Sequence, residues 1–302
     1  VGETLHIATA IDEAYIVPLR VMLGSLIAHL SPRFRPVLHL MHRSLQDHQI
    51  ETITQLVEVR SIVPDADAMA ALPRHPSFPA EAAFPLLLPD LISGTADRVL
   101  FLDPDTFIAD DVAKIWEVDL RHNVIAAAVD QAIPFCSSAR GVKTRRELGI
   151  PEKAAYFNAG VMLIDIARWK RDDISARAHR YLERIDGQSD FLHQEALNAV
   201  LWDRWLELEQ RWNLIASLSG RRYGSSESVD SPGIIHFAGV FKPWRFRTGG
   251  PFADSYKSFV ERTSEAMTQE RSPRETLLSI YDVYLRDYFY GIENVLWKNR
   301  LI

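Results

Sequence analysis

The residues best equipped for chemistry lie where an apolar run, Val99-Leu100-Phe101-Leu102, meets Asp103-Pro104-Asp105. In extended backbone, residues i and i+2 point to the same side, so the two carboxylates can converge. Pro104 stiffens the chain between them and keeps Asp103 out of the α region. Two negative charges so close repel unless a cation sits between or beside them. Hard oxygen ligands suit Mn²⁺ or Mg²⁺. A turn whose aspartates cap a following helix is the plainer alternative. Placement directly after a buried strand favours the cation site, because ligand-binding residues gather at the carboxyl ends of strands in open α/β sheets.

Late in the chain, Ile235-His236-Phe237-Ala238-Gly239 is followed by Lys242-Pro243-Trp244. An imidazole at a strand end could supply a third metal ligand. Gly239 would let the backbone approach a phosphate closely. Lys242 offers a compact positive charge to a diphosphate. In the middle of the chain, Phe157-Asn158-Ala159-Gly160 reads as a turn opening a strand, with an amide that can pair with a sugar hydroxyl. His193-Gln194-Glu195-Ala196-Leu197-Asn198 begins a helix, and a helix start presents side chains and free N–H groups to a cleft.

These groups need a scaffold, and the first half of the chain supplies the pattern of an α/β sheet. Leu5 to Ala8 is a short apolar run, followed by an amphipathic helix carrying Leu19, Met22, Leu23, Leu26 and Leu30, with Pro18 in its first turn. Val37 to Met41 predicts a second strand, and Ile50, Ile53 and Val57 predict a helix. The span from Val63 to Pro89 reads as irregular before a short helix near Ala82 to Leu91. Val99 to Leu102, Val124 to Val129, Gly160 to Ile164 and Gly233 to Phe237 predict further strands, with helices over Ile174 to Ile185 and Gln194 to Trp205.

The 302 residues, 47% hydrophobic and 25% charged, suffice for a large core. A net charge of −6 argues against a nucleic-acid partner, which would need a basic stripe. It also means that an anionic substrate must be held by a local cation. Cys136 is the only cysteine, so no internal disulfide forms and a reducing compartment fits. No apolar run approaches the ~20 residues needed to span a bilayer, and Val1 to Ala10 lacks the basic region of a signal peptide. A cytoplasmic location is the expectation. Ala8 to Tyr15 contains no glycine, which argues against a nucleotidyltransferase with a Gly-rich triphosphate loop.

Five segments in order carry a family resemblance: Ala10-Ile11-Asp12 with Tyr15, Phe101 to Asp105, Phe157 to Gly160, Gln194 to Asn198, and His236 to Gly239 with Lys242-Pro243-Trp244. Across about Leu5 to Trp244 the sequence resembles the retaining family 8 glycosyltransferases, the group containing bacterial lipopolysaccharide galactosyl- and glucosyltransferases and glycogenin. The resemblance implies a GT-A fold: an α/β, Rossmann-like nucleotide-binding domain with a mixed central sheet, placed over residues 1–250; the composition beyond it predicts a helical, aromatic and basic segment over 251–302. The resemblance also implies Mn²⁺ held by Asp103, Asp105 and His236, bridging the diphosphate of a UDP-sugar, with Asp12 and Tyr15 in the uridine-binding loop. Asn158 and Asp130 would match sugar-contacting positions, and Gln194 the residue facing the anomeric carbon. The expected partners are a nucleotide-sugar donor and a glycan or lipid-linked glycan acceptor. Two departures stand out. His193 occupies a position where the family usually has Asp against donor-sugar hydroxyls, and Pro85 lies where it usually has a donor-contacting Arg. Either specificity is shifted, or the chain is a catalytically weak or inactive GT-A domain that binds nucleotide-sugar or glycan.

The segment from Ser272 onward places Tyr281, Tyr284 and Tyr288 at roughly helical spacing, with Arg286, Lys298 and Arg300 nearby. Aromatic and basic groups together suit the membrane–water interface. The expectation is peripheral contact with the inner face of the membrane. The alternative is a helix packed on the catalytic domain.

Overall fold

A computed structural model describes residues 2–70, 72, 80–92, 94–186, 188–189, 191–218, 231–239, 242–244 and 252–263. Ten strands are β1 Glu3–Ala10, β2 Phe34–Met41, β3 Glu58–Ile62, β4 Arg98–Leu102, β5 Thr106–Ile108, β6 Ile125–Val129, β7 Phe157–Asp165, β8 Trp205–Glu207, β9 Leu214–Ile215 and β10 Ile234–His236. The α-helices are α1 Ile16–His29, α2 Asp47–Thr54, α3 Ala66–Ala70, α4 Leu88–Leu91, α5 Ala113–Trp116, α6 Ile166–Arg171, α7 Ile174–Arg184, α8 His193–Leu201 and α9 Ala253–Thr263.

Seven strands form one mixed sheet in the order β3-β2-β1-β4-β7-β6-β8. β1, β2, β3 and β4 run parallel, whereas β7 is antiparallel to both of its neighbours, β4 and β6. The apolar residues of β1, β4 and β7 are buried on both faces, as expected of strands covered above and below. One face packs against Leu19, Met22, Leu23 and Leu26 of α1, which recur at helical spacing. The other packs against Phe84, Trp169, Leu182 and Leu197.

The chain leaves β1 for β2 on one side, yet β4 pairs with β1 on the other. The carboxyl ends of β1 and β4 therefore flank a topological switch point, the crevice where open α/β sheets bind ligands. Ala10 ends β1 there, and Leu102 delivers Asp103. Because β7 runs backwards, its first residues, Phe157 to Gly160, reach the same edge, and β6 delivers Asp130 beside them. A second sheet, β5-β10-β9, lies across this edge.

Several elements differ from the sequence expectation. β3 lies just after the predicted helix around Val57; its segment, Glu-Val-Arg-Ser-Ile, is a half-exposed edge strand with little apolar signal. The span near Ala82 to Leu91 is two short turns of helix, a 3₁₀ turn at Ala80–Leu86 holding Pro85 and then α4, because proline interrupts the α-helical bonding. Helix α8 ends at Leu201, and Trp205 belongs to β8. Asn158 lies within β7, not in a turn, and Asp103 to Thr106 is a turn, not extended backbone.

α9 packs Tyr256, Phe259 and Val260 against Val21, Phe107, Ile235, Phe237 and Trp244. The aromatic and basic tail from Ser272 lies outside the described residues. Among the described residues, no helix is long and apolar enough to cross a membrane.

Candidate active site

The turn after β4 gathers the central charges. The backbone N–H of Thr106 and its hydroxyl both donate to the Asp103 carbonyl, at 3.2 and 2.8 Å, closing the turn around Pro104. The turn, rather than strand alternation, brings the two carboxylates together. His236 ends β10, which pairs antiparallel with β5, so His236 sits opposite Thr106. Its Nε2 lies 3.5 Å from Asp103 Oδ2 and 3.3 Å from Asp105 Oδ1. Ligand atoms of Asp103, Asp105 and His236 all fall within 4.8 Å of one another, close enough to share one cation. Two oxygens and an imidazole nitrogen form a donor set suited to a divalent ion such as Mn²⁺.

The two aspartates are not equivalent. The Lys242 ammonium sits on Asp105 Oδ2 and donates to the Phe237 carbonyl at 2.8 Å. Burial by itself would raise the Asp105 pKa, but Lys242 and His236 outweigh it and hold the carboxyl well below the usual carboxylate range. Among the described residues, no ammonium sits on Asp103 as Lys242 does on Asp105. Burial first, and then the Asp105 charge, push it up to about 7. Burial opposes charge on His236 and Lys242 too, yet the carboxylates beside them prevail and raise both.

Gly160 makes this crowding possible. A methyl group there would meet His236 Cε1 at 2.3 Å and Asp103 Oδ2 at 2.7 Å. Its carbonyl also accepts the Asp103 N–H at 2.7 Å, tying β7 to the turn. Gly239 takes φ +81°, a conformation that favours glycine, and its side-chain direction is open space.

A buried polar group of four residues lies beside the charges. Asp130 Oδ1 accepts from the N–H groups of Ala132 and Ile133, at 2.8 and 3.0 Å. Its Oδ2 accepts from Asn158 Nδ2 at 2.8 Å and Gln194 Nε2 at 3.1 Å. Gln194 Oε1 accepts from the Ala159 N–H at 3.0 Å, so both ends of that amide are held. Asn213 joins Asn158 to His236, through contacts of 2.9 Å on each side. Thus Asp103, Asp105, Asp130, Asn158, Gln194, His236 and Lys242 form one connected cluster.

The remaining predicted residues lie at the end of β1, in the turn that follows it and at the start of α8. Ala10 ends β1 at the switch point. Asp12 caps a 3₁₀ turn, accepting the Ala14 N–H at 2.9 Å, and Tyr15 ends that turn with its ring 6.0 Å from Trp244. His193 is the first residue of α8, and Leu192 before it adopts φ +41°. Such a conformation costs a leucine about 1–3 kcal/mol and is typical of functional sites.

Sequence reasoning missed Asn213, and it gave no role to Gly160 and Asn198 although both lie in motifs it singled out. Asn198 accepts the Phe157 N–H at 2.8 Å and donates to the Phe157 carbonyl at 2.9 Å, locking α8 to the start of β7. Its spacing of four from Gln194 placed it on the same helix face. Gly160 was open to detection as a glycine inside an apolar strand, which marks close approach. Asn213 carries no periodic signal.

A Rossmann-like sheet with a small second sheet and a charged cluster at its switch point is the architecture of a GT-A fold. The family model "Glycosyl transferase family 8" matches residues 6–248. The chain belongs to glycosyl transferase family 8. It is 26% identical over 279 residues to General stress protein A of Bacillus subtilis, covering 86% of this chain and 94% of the relative. It is 23% identical over 288 residues to a lipopolysaccharide 1,2-glucosyltransferase of Escherichia coli K12, covering 91% and 82%. In fold it is similar to the galactosyltransferase LgtC, solved with donor and acceptor sugar analogues, at TM-score 0.73 and 21% identity, covering 88% and 97%.

Proposed function

We propose that this protein moves a hexose, galactose or glucose, from a UDP-sugar to a glycan acceptor hydroxyl with retention at the anomeric carbon, in cell-surface polysaccharide or lipopolysaccharide synthesis. The observation that carries this reading is the convergence of Asp103, Asp105 and His236 at the switch point, backed by Lys242. The similarity to a lipopolysaccharide glucosyltransferase supports the acceptor class.

A divalent cation held by Asp103, Asp105 and His236 would act as a Lewis acid on the diphosphate. Lys242 would add positive charge to the departing phosphate, and the open side-chain direction at Gly239 supports close approach of the phosphate to the backbone. Asp12 and Tyr15 are assigned to the nucleoside, and Asp130, Asn158 and His193 to the donor sugar. In the transfer, the anomeric C–O bond to the diphosphate breaks and a bond to the acceptor oxygen forms on the same face. The acceptor proton passes to the leaving phosphate oxygen. Gln194 carries an amide, a poor nucleophile, and its Oε1 keeps one lone pair beyond the bond from Ala159 for the cationic sugar. Same-face attack suits that residue better than a covalent intermediate.

Proton competition should govern the metal. In the metal-free protein, Asp103 holds its proton up to about 7, whereas its ordinary value is 3.8. The sign follows from linkage. This group's contribution to metal-free stability is present at low pH and lost as pH rises from about 4 to about 7. Metal affinity moves the opposite way, falling at least about tenfold per pH unit below 7, because the raised His236 must give up its proton as well. Mn²⁺ dissociation constants at pH 6 and pH 8 check this, and equal values would refute it.

UDP release across a panel of UDP-sugars, with Mn²⁺ present, tests the function. In the same panel, His193→Asp is expected to reorder the donors by about tenfold or more while changing UDP affinity little, because a polar pocket discriminates through hydrogen bonds left unmade. An unchanged ranking would mean that His193 does not read the sugar. Turnover of no donor, alongside normal UDP binding, would favour the nucleotide- or glycan-binding reading suggested by His193 and Pro85.

A further inference from the structure

We propose that Asn213 is the positioning residue that places the proton of His236 on Nδ1, turning the Nε2 lone pair toward Asp103 and Asp105. This rests on reading those three residues as a metal centre.

The assignment follows from one unambiguous donor. The backbone N–H of Gly160 can only donate, so the atom of Asn158 that receives it at 2.9 Å is Oδ1. Asn158 Nδ2 then faces Asp130 Oδ2, an oxygen that also receives Gln194 Nε2. Because Asn158 Oδ1 accepts, the Asn213 atom 2.9 Å from it is the donor Nδ2. That leaves Asn213 Oδ1 against His236 Nδ1, at 2.9 Å. An amide oxygen cannot donate, so Nδ1 must carry the hydrogen. In the neutral ring, Nε2 is then unprotonated, and it is the nitrogen that lies 3.5 and 3.3 Å from the carboxylates.

Asn158, Asn213 and His236 are all buried, so water cannot easily replace any of these partners. The backbone holds Asn213 in place as well. It directly precedes β9, which runs parallel to β10, with Leu214 opposite Ile235 and Ile215 opposite His236. The Ile215 N–H donates to Gln131 Oε1 at 2.7 Å, anchoring β9 beside Asp130. The carboxamide offers an acceptor to the imidazole and, from a separate atom, a donor to Asn158. Partners behind a metal-binding histidine fix its tautomer, and their loss typically weakens metal binding 10–100-fold.

The test uses the full chain and Mn²⁺ alone, with free Mn²⁺ followed by electron paramagnetic resonance. Asn213→Leu, similar in volume but without polar atoms, should weaken Mn²⁺ binding roughly 10–100-fold. Asn213→Asp keeps the acceptor for Nδ1–H and should lose less than Asn213→Leu. Nitrogen-15 NMR of the metal-free protein, at a pH where the ring is neutral, should find the His236 hydrogen on Nδ1 in wild type and on Nε2 in Asn213→Leu. Wild-type Mn²⁺ affinity in Asn213→Leu, or an Nε2 hydrogen in wild type, would overturn the proposal. If wild type binds no Mn²⁺, the metal reading fails, and the NMR arm still decides the role of Asn213. If Asn213→Leu does not fold, the wild-type spectrum and Asn213→Asp carry the decision.

Discussion

Asp103→Asn is expected to cut sugar transfer by about 10³-fold while leaving the metal-free protein at least as stable as wild type at pH 8. The first half follows from losing a charged ligand. A Lewis acid supplies several kcal/mol to the departing diphosphate, and about 4 kcal/mol corresponds to roughly 10³ in rate. The second half follows from the asymmetry of the pair. Asp103 is repelled by Asp105, and Lys242 pairs with Asp105 instead, so a neutral amide at 103 removes an electrostatic cost. Asp105→Ala should also abolish transfer, but with a marked loss of stability. It would remove the carboxylate that pairs with the buried Lys242 ammonium, and orphaning one member of a buried pair costs about 3–5 kcal/mol. Product mass under saturating Mn²⁺, together with thermal melts in chelator, separates these effects. Full transfer in excess chelator would end the metal reading. Equal melting temperatures for the two variants would end the claim that the aspartates differ.

Gly160→Ala should cut the same activity about 10²-fold by geometry alone. The added methyl would lie 2.3 Å from a His236 ring carbon and 2.7 Å from an Asp103 oxygen, contacts that cannot persist. β7 is sandwiched between β4 and β6 and cannot retreat, and the Asp103 N–H bond to the Gly160 carbonyl holds the turn against it. The side chains must therefore move. A displacement near 1 Å costs about 10² in rate, and Mn²⁺ affinity should fall by at least about tenfold. Overpacking a core costs about 1–3 kcal/mol, so the variant should still fold. Mn²⁺ titration and transfer assays on the soluble variant give the answer, and wild-type values in both would show that the cradle is slack.

How far the sequence revealed this arrangement depends on where the information lies. The carboxylate pair was legible because a fully apolar strand ending in Asp-Pro-Asp leaves few other roles for two charges. His236 and Lys242 were legible because glycine and a short strand accompany them. β3 was not legible, since an edge strand needs no apolar face and its two aliphatic residues, Val59 and Ile62, show no alternation. Nor was the turn at Asp103 visible: proline between aspartates fits both extended and turned backbone. Asn213 was beyond reach because its value comes entirely from partners at 158 and 236. A pairing of that kind exists only after the fold has brought three distant segments together.

The order in which the chain is made gives the reversed strand and the small second sheet a further meaning. Asp105 and Lys242 are 137 residues apart. Synthesis runs from the amino end, so every strand of the seven-stranded sheet, through Glu207, emerges before His236 and Lys242 exist. During that interval the turn at the switch point carries two carboxylates and none of the cationic groups that later face them. Closing so long a loop has an entropic cost that grows only slowly with its length, but it must be met before the contact gives anything back. Charge balance at the heart of the molecule is thus among the last things the nascent protein acquires. Until β10 docks, a newborn chain holds Asp103 and Asp105 open to whatever cation the surroundings provide.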